Sequence, residues 1–315
     1  MMNLREKVGI CQWFHYEAYD DVLVAIETLQ ELGVKHLRTG ISWADFLRPG
    51  GKAWYDWQMD MLDQAGFHIL LSVWHVPPSI SVGNASNTPP HRLQDYADFI
   101  DHIITLYGDK FHELALWNEP NSCYEWSFDE YDPMWKKFAE MVNMAAYWAK
   151  QRGRTTVLGG MTPVDHTWLN LMSEYGVLAH IDVVSIHAFP EMWWDDAPNW
   201  EWYGQWHGWD DKVAYIAEHV EGRAIWVTET GLATWDMARK CVGRHDLQIA
   251  MLEQAVAAPV ERLYWYSAID LSPDRAAVEG FHVDENEYHM GLVTYQGEKK
   301  PAYYRFKELL SMNSA

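Results

Sequence analysis

Two short strings, Trp117-Asn118-Glu119-Pro120 and Val227-Thr228-Glu229-Thr230-Gly231, each carry a glutamate with the setting of a reactive carboxylate. The first follows His112-Glu113-Leu114-Ala115-Leu116 and the second follows Ala224-Ile225-Trp226-Val227. Both runs are short, apolar and bounded by turn-forming residues, which predicts buried strands. Each glutamate then falls at the C-terminal end of a strand. Hydrolysis of a glycosidic bond uses two such groups, one to protonate the leaving oxygen and one to attack or stabilise the sugar cation. A single glutamate at a strand end is ordinarily a solvated loop residue, and the chain has 45 acidic residues to place there. The signal lies in the pair, in this order, after strands of the same kind.

The elements that must position these groups alternate regularly. Strands are predicted at Val8–Gln12, Val34–Thr39, His68–Trp74, Glu113–Trp117, Thr156–Gly159, Ile181–Ile186, Ala224–Thr228 and Arg262–Tyr266. Amphipathic helices are predicted at Asp20–Leu32, Tyr55–Gln64, Arg92–Tyr107, Pro133–Gln151, Thr167–Tyr175, Asp211–Val220, Arg244–Ala257 and Pro301–Leu310. Strand–helix alternation with parallel crossovers predicts an α/β fold, a (β/α)8 TIM barrel forming a single domain over residues 1–315. Helix-to-strand connections are short. Strand-to-helix connections such as His75–His91, Glu119–Asp132, His187–Trp209 and Ser267–Lys300 are long. The excess chain therefore sits on the C-terminal rim, where barrel enzymes build their sites.

Composition narrows the chemistry. The 315 residues are 49% hydrophobic, enough for a sizeable core, and no apolar run approaches the ~18 residues of a membrane span. Met1 to Lys7 has no apolar segment behind a basic start, so the expectation is an unexported, cytoplasmic protein. A formal charge of −21 disfavours nucleic acid and anionic membranes as partners and suits a neutral substrate. Three cysteines, Cys11, Cys123 and Cys241, are too few and too scattered for a disulfide framework or a cysteine zinc site, and read as small buried or neutral fillers. No metal and no organic cofactor is expected. Nineteen tryptophans, many in predicted loops, offer flat faces on which sugar rings stack.

Read in order, the strand ends present Arg38, His75, Asn118 with Glu119, His187, Glu229 and Trp265. This set, with its Asn-Glu-Pro string and its strand-seven glutamate, resembles clan A of the glycoside hydrolases, (β/α)8 retaining enzymes. The strings Val157-Leu158-Gly159-Gly160, Asp182-Val183-Val184-Ser185-Ile186-His187 and Thr228-Glu229-Thr230-Gly231 are most similar to families 39 and 5. The resemblance implies Glu119 as acid/base, Glu229 as nucleophile, Asn118 on the sugar 2-hydroxyl and Trp265 as the floor under the reacting sugar. It also implies binding roles for Arg38, His75 and His187. Arg38 beside Glu229 would stabilise the carboxylate anion, and an apolar setting beside Trp117 would favour a protonated Glu119.

One position departs from the clan. Many members place a tyrosine two residues beyond the strand-six histidine, donating to the nucleophile, and here that position is Phe189. The segment Phe189–Trp209 carries Trp193, Trp194, Trp200, Trp202, Tyr203, Trp206 and Trp209, and reads as an aromatic wall or lid with Trp194 contacting substrate. Trp13, Tyr16 and Trp43 are expected to add to it. Three other functions remain open on the sequence: a transglycosidase, a metal-dependent hydrolase using His15, His75 and His187, and a carbohydrate-binding pseudoenzyme.

Overall fold

The structure, a computed structural model, describes residues 3–190, 206–274 and 285–312. Eight parallel strands form where the sequence predicts them, with ends shifted by a few residues. They are β1 Val8–Cys11, β2 His36–Ser42, β3 His68–Trp74, β4 Glu113–Leu116, β5 Thr155–Met161, β6 Val183–His187, β7 Ala224–Thr230 and β8 Leu263–Tyr266. Their order is β1-β8-β7-β6-β5-β4-β3-β2, closed into a barrel. Burial along them is nearly continuous, as in β4 and β6, because parallel strands are covered on both faces. The helices that follow are α1 Tyr19–Leu32, α2 Gly51–Gln64, α3 Gln94–Tyr107, α4 Lys136–Gln151, α5 His166–Glu174, α6 Trp209–Ala217, α7 His245–Ala257 and α8 Pro301–Met312. The sequence reading did not include the short pair Trp235–Asp236 and Cys241–Val242, or the helical turns Leu4–Lys7, Trp43–Phe46 and Phe128–Tyr131. No helix of the described residues is long and apolar enough to cross a membrane.

The chain divides into two compact units. The first comprises Met1–Arg38, Ala188–Val213 and Val227–Ala315. In it β1 pairs with β8, Cys11 opposite Tyr266, and with the start of β2, Cys11 opposite Arg38. β8 pairs in turn with β7, Trp265 opposite Thr230. Helix α8 packs on α7 and α1, and α1 ends at Gly33, whose φ of 76° is a left-handed turn that glycine adopts without strain.

The second unit comprises Thr39–His187 and Ala214–Trp226. Strands β3 to β6 pair in sequence, Leu71 with Leu114, Ala115 with Val157, and Leu158 with Val184. Helix α3 presents Tyr96, Ala97, Phe99, Ile100, Ile103, Ile104 and Tyr107 to the interior, a stripe at helical spacing, and packs on α4. Its connections are uneven: residues 65–67 and 152–154 suffice from helix to strand, while 75–93 and 117–135 run from strand to helix. The longer ones lie at the C-terminal ends of β3 and β4.

Candidate active site

In the first unit the site is built around Glu229, near the end of β7 and only 5% exposed. Its Oε1 accepts three donors: Arg38 Nη1 at 2.5 Å, Trp13 Nε1 at 3.1 Å and Cys11 Sγ at 3.3 Å. Arg38 lies within β2, fully buried, with its guanidinium 4.7 Å from the Trp13 ring centroid, a cation–π contact. The backbone at Glu229 is held as well, since its carbonyl accepts from the Ala188 amide at 3.0 Å. The next residue, Thr230, donates its hydroxyl to Ala188 O at 2.7 Å and accepts from Trp209 Nε1 at 3.0 Å. Burying two opposite charges is tolerable only with good geometry and added donors, and the tryptophan and thiol supply those.

Cys11 is buried, as the sequence suggested, but it is more than a filler. Its thiol touches both Glu229 and Arg38, the latter donating Nη1 to Sγ at 3.3 Å. Burial, and after it the negative charge of Glu229, pushes this thiol well above its ordinary pKa, so it stays protonated.

In the second unit the ends of β3, β4 and β6 contribute. Glu119 Oε1 lies 2.6 Å from His187 Nδ1, and the Glu119 side chain is 22% exposed against 0% for the imidazole. Asn118 donates Nδ2 to Glu125 Oε1 at 3.1 Å, and His75 Nε2 lies 3.7 Å from Glu125 Oε2. Glu125 is buried, and sequence reasoning passed over it because it lies within the loop after β4, six residues beyond Glu119. The loop itself is pinned: Trp117 Nε1 donates to Glu125 O at 3.0 Å, and Asn121 bridges to the β5 loop through Pro163 O and the Thr162 amide.

Local backbone strain marks the same places. His75, Trp117 and Glu119 have φ of 63°, 79° and 41°, a region unfavourable to residues with a Cβ. Such strain concentrates where packing overrides local preference to aim a side chain. Glycines make the room. A Cβ on Gly160 would lie 1.9 Å from His187 Nε2, and one on Gly159 2.5 Å from Trp117 O. The Val157-Leu158-Gly159-Gly160 string thus has a steric cause.

Several expectations need correction. Trp265 is fully buried and offers no face for stacking. The partly exposed ring at the end of β8 is its neighbour Tyr266. Trp43 is core, stacked on Phe99 at 5.3 Å, and Trp209 is buried beneath Thr230. His187 faces Glu119, so the absent hydroxyl at Phe189 bears on Glu229 and leaves the histidine's contact intact. His75 and His187 face different carboxylates, Glu125 and Glu119. Trp193, Trp194, Trp200, Trp202 and Tyr203, the centre of the expected aromatic wall, lie outside the described residues.

No family model matches the chain. Among curated proteins it is 27% identical over 124 residues to "Probable inactive beta-glucosidase 14" of Oryza sativa subsp. japonica, a match that spans 36% of this chain and 23% of that one. Among solved structures it is similar to a family 39 glycoside hydrolase from Bacteroides cellulosilyticus WH2, with a TM-score of 0.67 at 16% identity over 99% of this chain and 65% of that one. A monomeric β-xylosidase from Caulobacter crescentus CB15 gives 0.67 at 17% identity, covering 96% of this chain and 67% of that one. A family 39 enzyme from Xanthomonas axonopodis pv. citri gives 0.68 at 15%, covering 98% and 67%. The chain thus spans about two thirds of these structures. At such identities the likeness establishes the fold, the (β/α)8 barrel that the strand order describes.

Proposed function

We propose that this protein is a retaining glycoside hydrolase acting on β-linked glycosides, with Glu229 as nucleophile and Glu119 as acid/base. The observation that carries this reading is the opposite treatment of two strand-end glutamates. Glu229 is buried against a guanidinium, an indole N–H and a thiol, donors suited to an anionic attacking group. Glu119 is more open and pairs with the His187 imidazole, suited to a group that gives up a proton and takes it back. The strands bearing them, β4 and β7, belong to one parallel barrel, in which the C-terminal strand ends form the catalytic rim. The names of the similar structures, family 39 enzymes and a β-xylosidase, support the same chemistry.

In the proposed sequence Glu229 attacks the anomeric carbon while Glu119 protonates the departing oxygen. Water, deprotonated by Glu119, then releases the sugar from the covalent intermediate with net retention. Asn118, whose amide is oriented by Glu125, binds the 2-hydroxyl, and Tyr266 takes the stacking role that Trp265 is too buried to fill. Arg38, His75 and His187 position these groups, and a carbohydrate is the partner.

Nitrophenol release from a panel of aryl β-glycosides (xyloside, glucoside, galactoside, mannoside, arabinoside, fucoside) tests the reading, with proton NMR of the first-formed anomer. Turnover with retained configuration is expected. An inverted product would remove the double-displacement mechanism, and no turnover on any member would favour a carbohydrate-binding protein without catalysis. Acceptor competition separates hydrolysis from transglycosylation, and metal analysis of the purified protein addresses the metal-dependent alternative.

A further inference from the structure

The proposed nucleophile carries donors that the clan pattern does not anticipate. The expected tyrosine is Phe189, which has no hydroxyl, and Glu229 Oε1 is met instead from the opening strand of the barrel. Cys11 ends β1 and Trp13 lies two residues on, a spacing that turns both side chains to the same side of an extended chain. The pairing of Cys11 with Arg38 on β2 then sets thiol, indole and guanidinium around one oxygen.

We infer that the thiol of Cys11, assisted by the indole of Trp13, is the positioning donor for the Glu229 carboxylate, in place of the missing tyrosine hydroxyl. Which way the thiol hydrogen points follows from the donor inventory. A guanidinium has only N–H groups, so Arg38 Nη1 donates to a sulfur lone pair at 3.3 Å. An ionised carboxylate only accepts, so the S–H donates to Glu229 Oε1 at 3.3 Å. Both requirements hold only for a protonated thiol, which agrees with its burial beside a negative charge. Three donors on a single oxygen restrict rotation of the carboxylate, and a fixed attack angle is where such a group aids a displacement reaction. Cys11 acts through Glu229 and makes no bond to substrate.

This inference rests on the proposed role of Glu229 for its kinetic consequence but not for its contact, and the two are tested separately. Cys123 and Cys241 are exposed and can be blocked with iodoacetamide, which leaves Cys11 as the source of the Raman S–H stretching band. That band is expected at the low-frequency, hydrogen-bonded end of its range and should move up in Glu229→Gln, where the acceptor is neutral and weaker. An unmoved band overturns the contact whether or not the protein hydrolyses anything. In the kinetic arm, Cys11→Ala should lower kcat roughly tenfold with KM little changed, the loss expected for one hydrogen bond to a charged group. Cys11→Ser keeps a donor and should recover most of that loss, although a buried hydroxyl is the poorer packing substitute. If Cys11→Ser is as slow as Cys11→Ala, or Cys11→Ala turns over like the wild type, the positioning role is wrong.

Discussion

Under the roles proposed above, the two glutamates contrast one kind of strand end in two settings. Glu229 lies within a regular strand, and its oxygen accepts from Cys11 at the end of β1, Trp13 just beyond it and Arg38 on β2. Glu119 belongs to a loop-rich part, where it departs from β4 with a positive φ, follows another strained residue at Trp117, and relies on an imidazole that fits only because residue 160 is glycine. Regular strands suit a group that must hold its charge and position. An irregular loop suits one that must present a proton to whatever leaves. Charge stabilisation is built from fixed donors, whereas proton transfer needs access, and the 22% exposure of the Glu119 side chain against 7% for Glu229 follows that division.

The contrast breaks most sharply at Glu229. Glu229→Ala should lose several orders of magnitude in turnover while remaining folded, because it removes the attacking group of the proposed covalent step. Added azide should restore part of the rate and yield a glycosyl azide of inverted configuration, detectable by NMR. Near wild-type turnover without azide would mean that the buried carboxylate is structural.

Glu119→Ala should behave differently, and the difference depends on the leaving group. Alkyl glycosides should slow by roughly 10²–10⁴-fold, the usual contribution of a positioned proton donor. Formation of the intermediate from dinitrophenyl glycosides should change far less, since that leaving group departs without a proton. Stopped-flow burst measurements on both substrates check this, and equal losses would remove Glu119 from the acid role.

A smaller effect is expected at Gly160. Gly160→Ala forces a methyl against His187, so the imidazole must move or the backbone must shift, at a cost of about 1–3 kcal/mol in urea denaturation. Its kinetic effect should resemble a mild Glu119 lesion, larger on alkyl than on dinitrophenyl glycosides. A uniform loss on both would show that the disturbance reaches beyond the His187–Glu119 contact.

Much of this protein is legible in its sequence. Short apolar runs and period-3.6 patterns placed all eight strands and their helices, because parallel barrel strands are covered on both faces and the helices on one. The strand-end position of Glu119 and Glu229 followed from those runs, as did the length of the loops carrying Asn118 and His75. Spatial pairing was not legible. Cys11 looked inert because a thiol in an apolar run has no local signature; its meaning comes from a residue 218 positions away. Glu125 was hidden among many acidic residues until the turn after β4 folded it back to Asn118. Trp265 and Tyr266 are adjacent, and only the register of β8 against its neighbours decided which ring is covered and which is open. Local sequence determined which elements form, because hydrogen bonding and apolar periodicity act over a few residues. The tertiary structure alone decided which side chains meet, because contacts between strand ends depend on register and closure that no short segment contains.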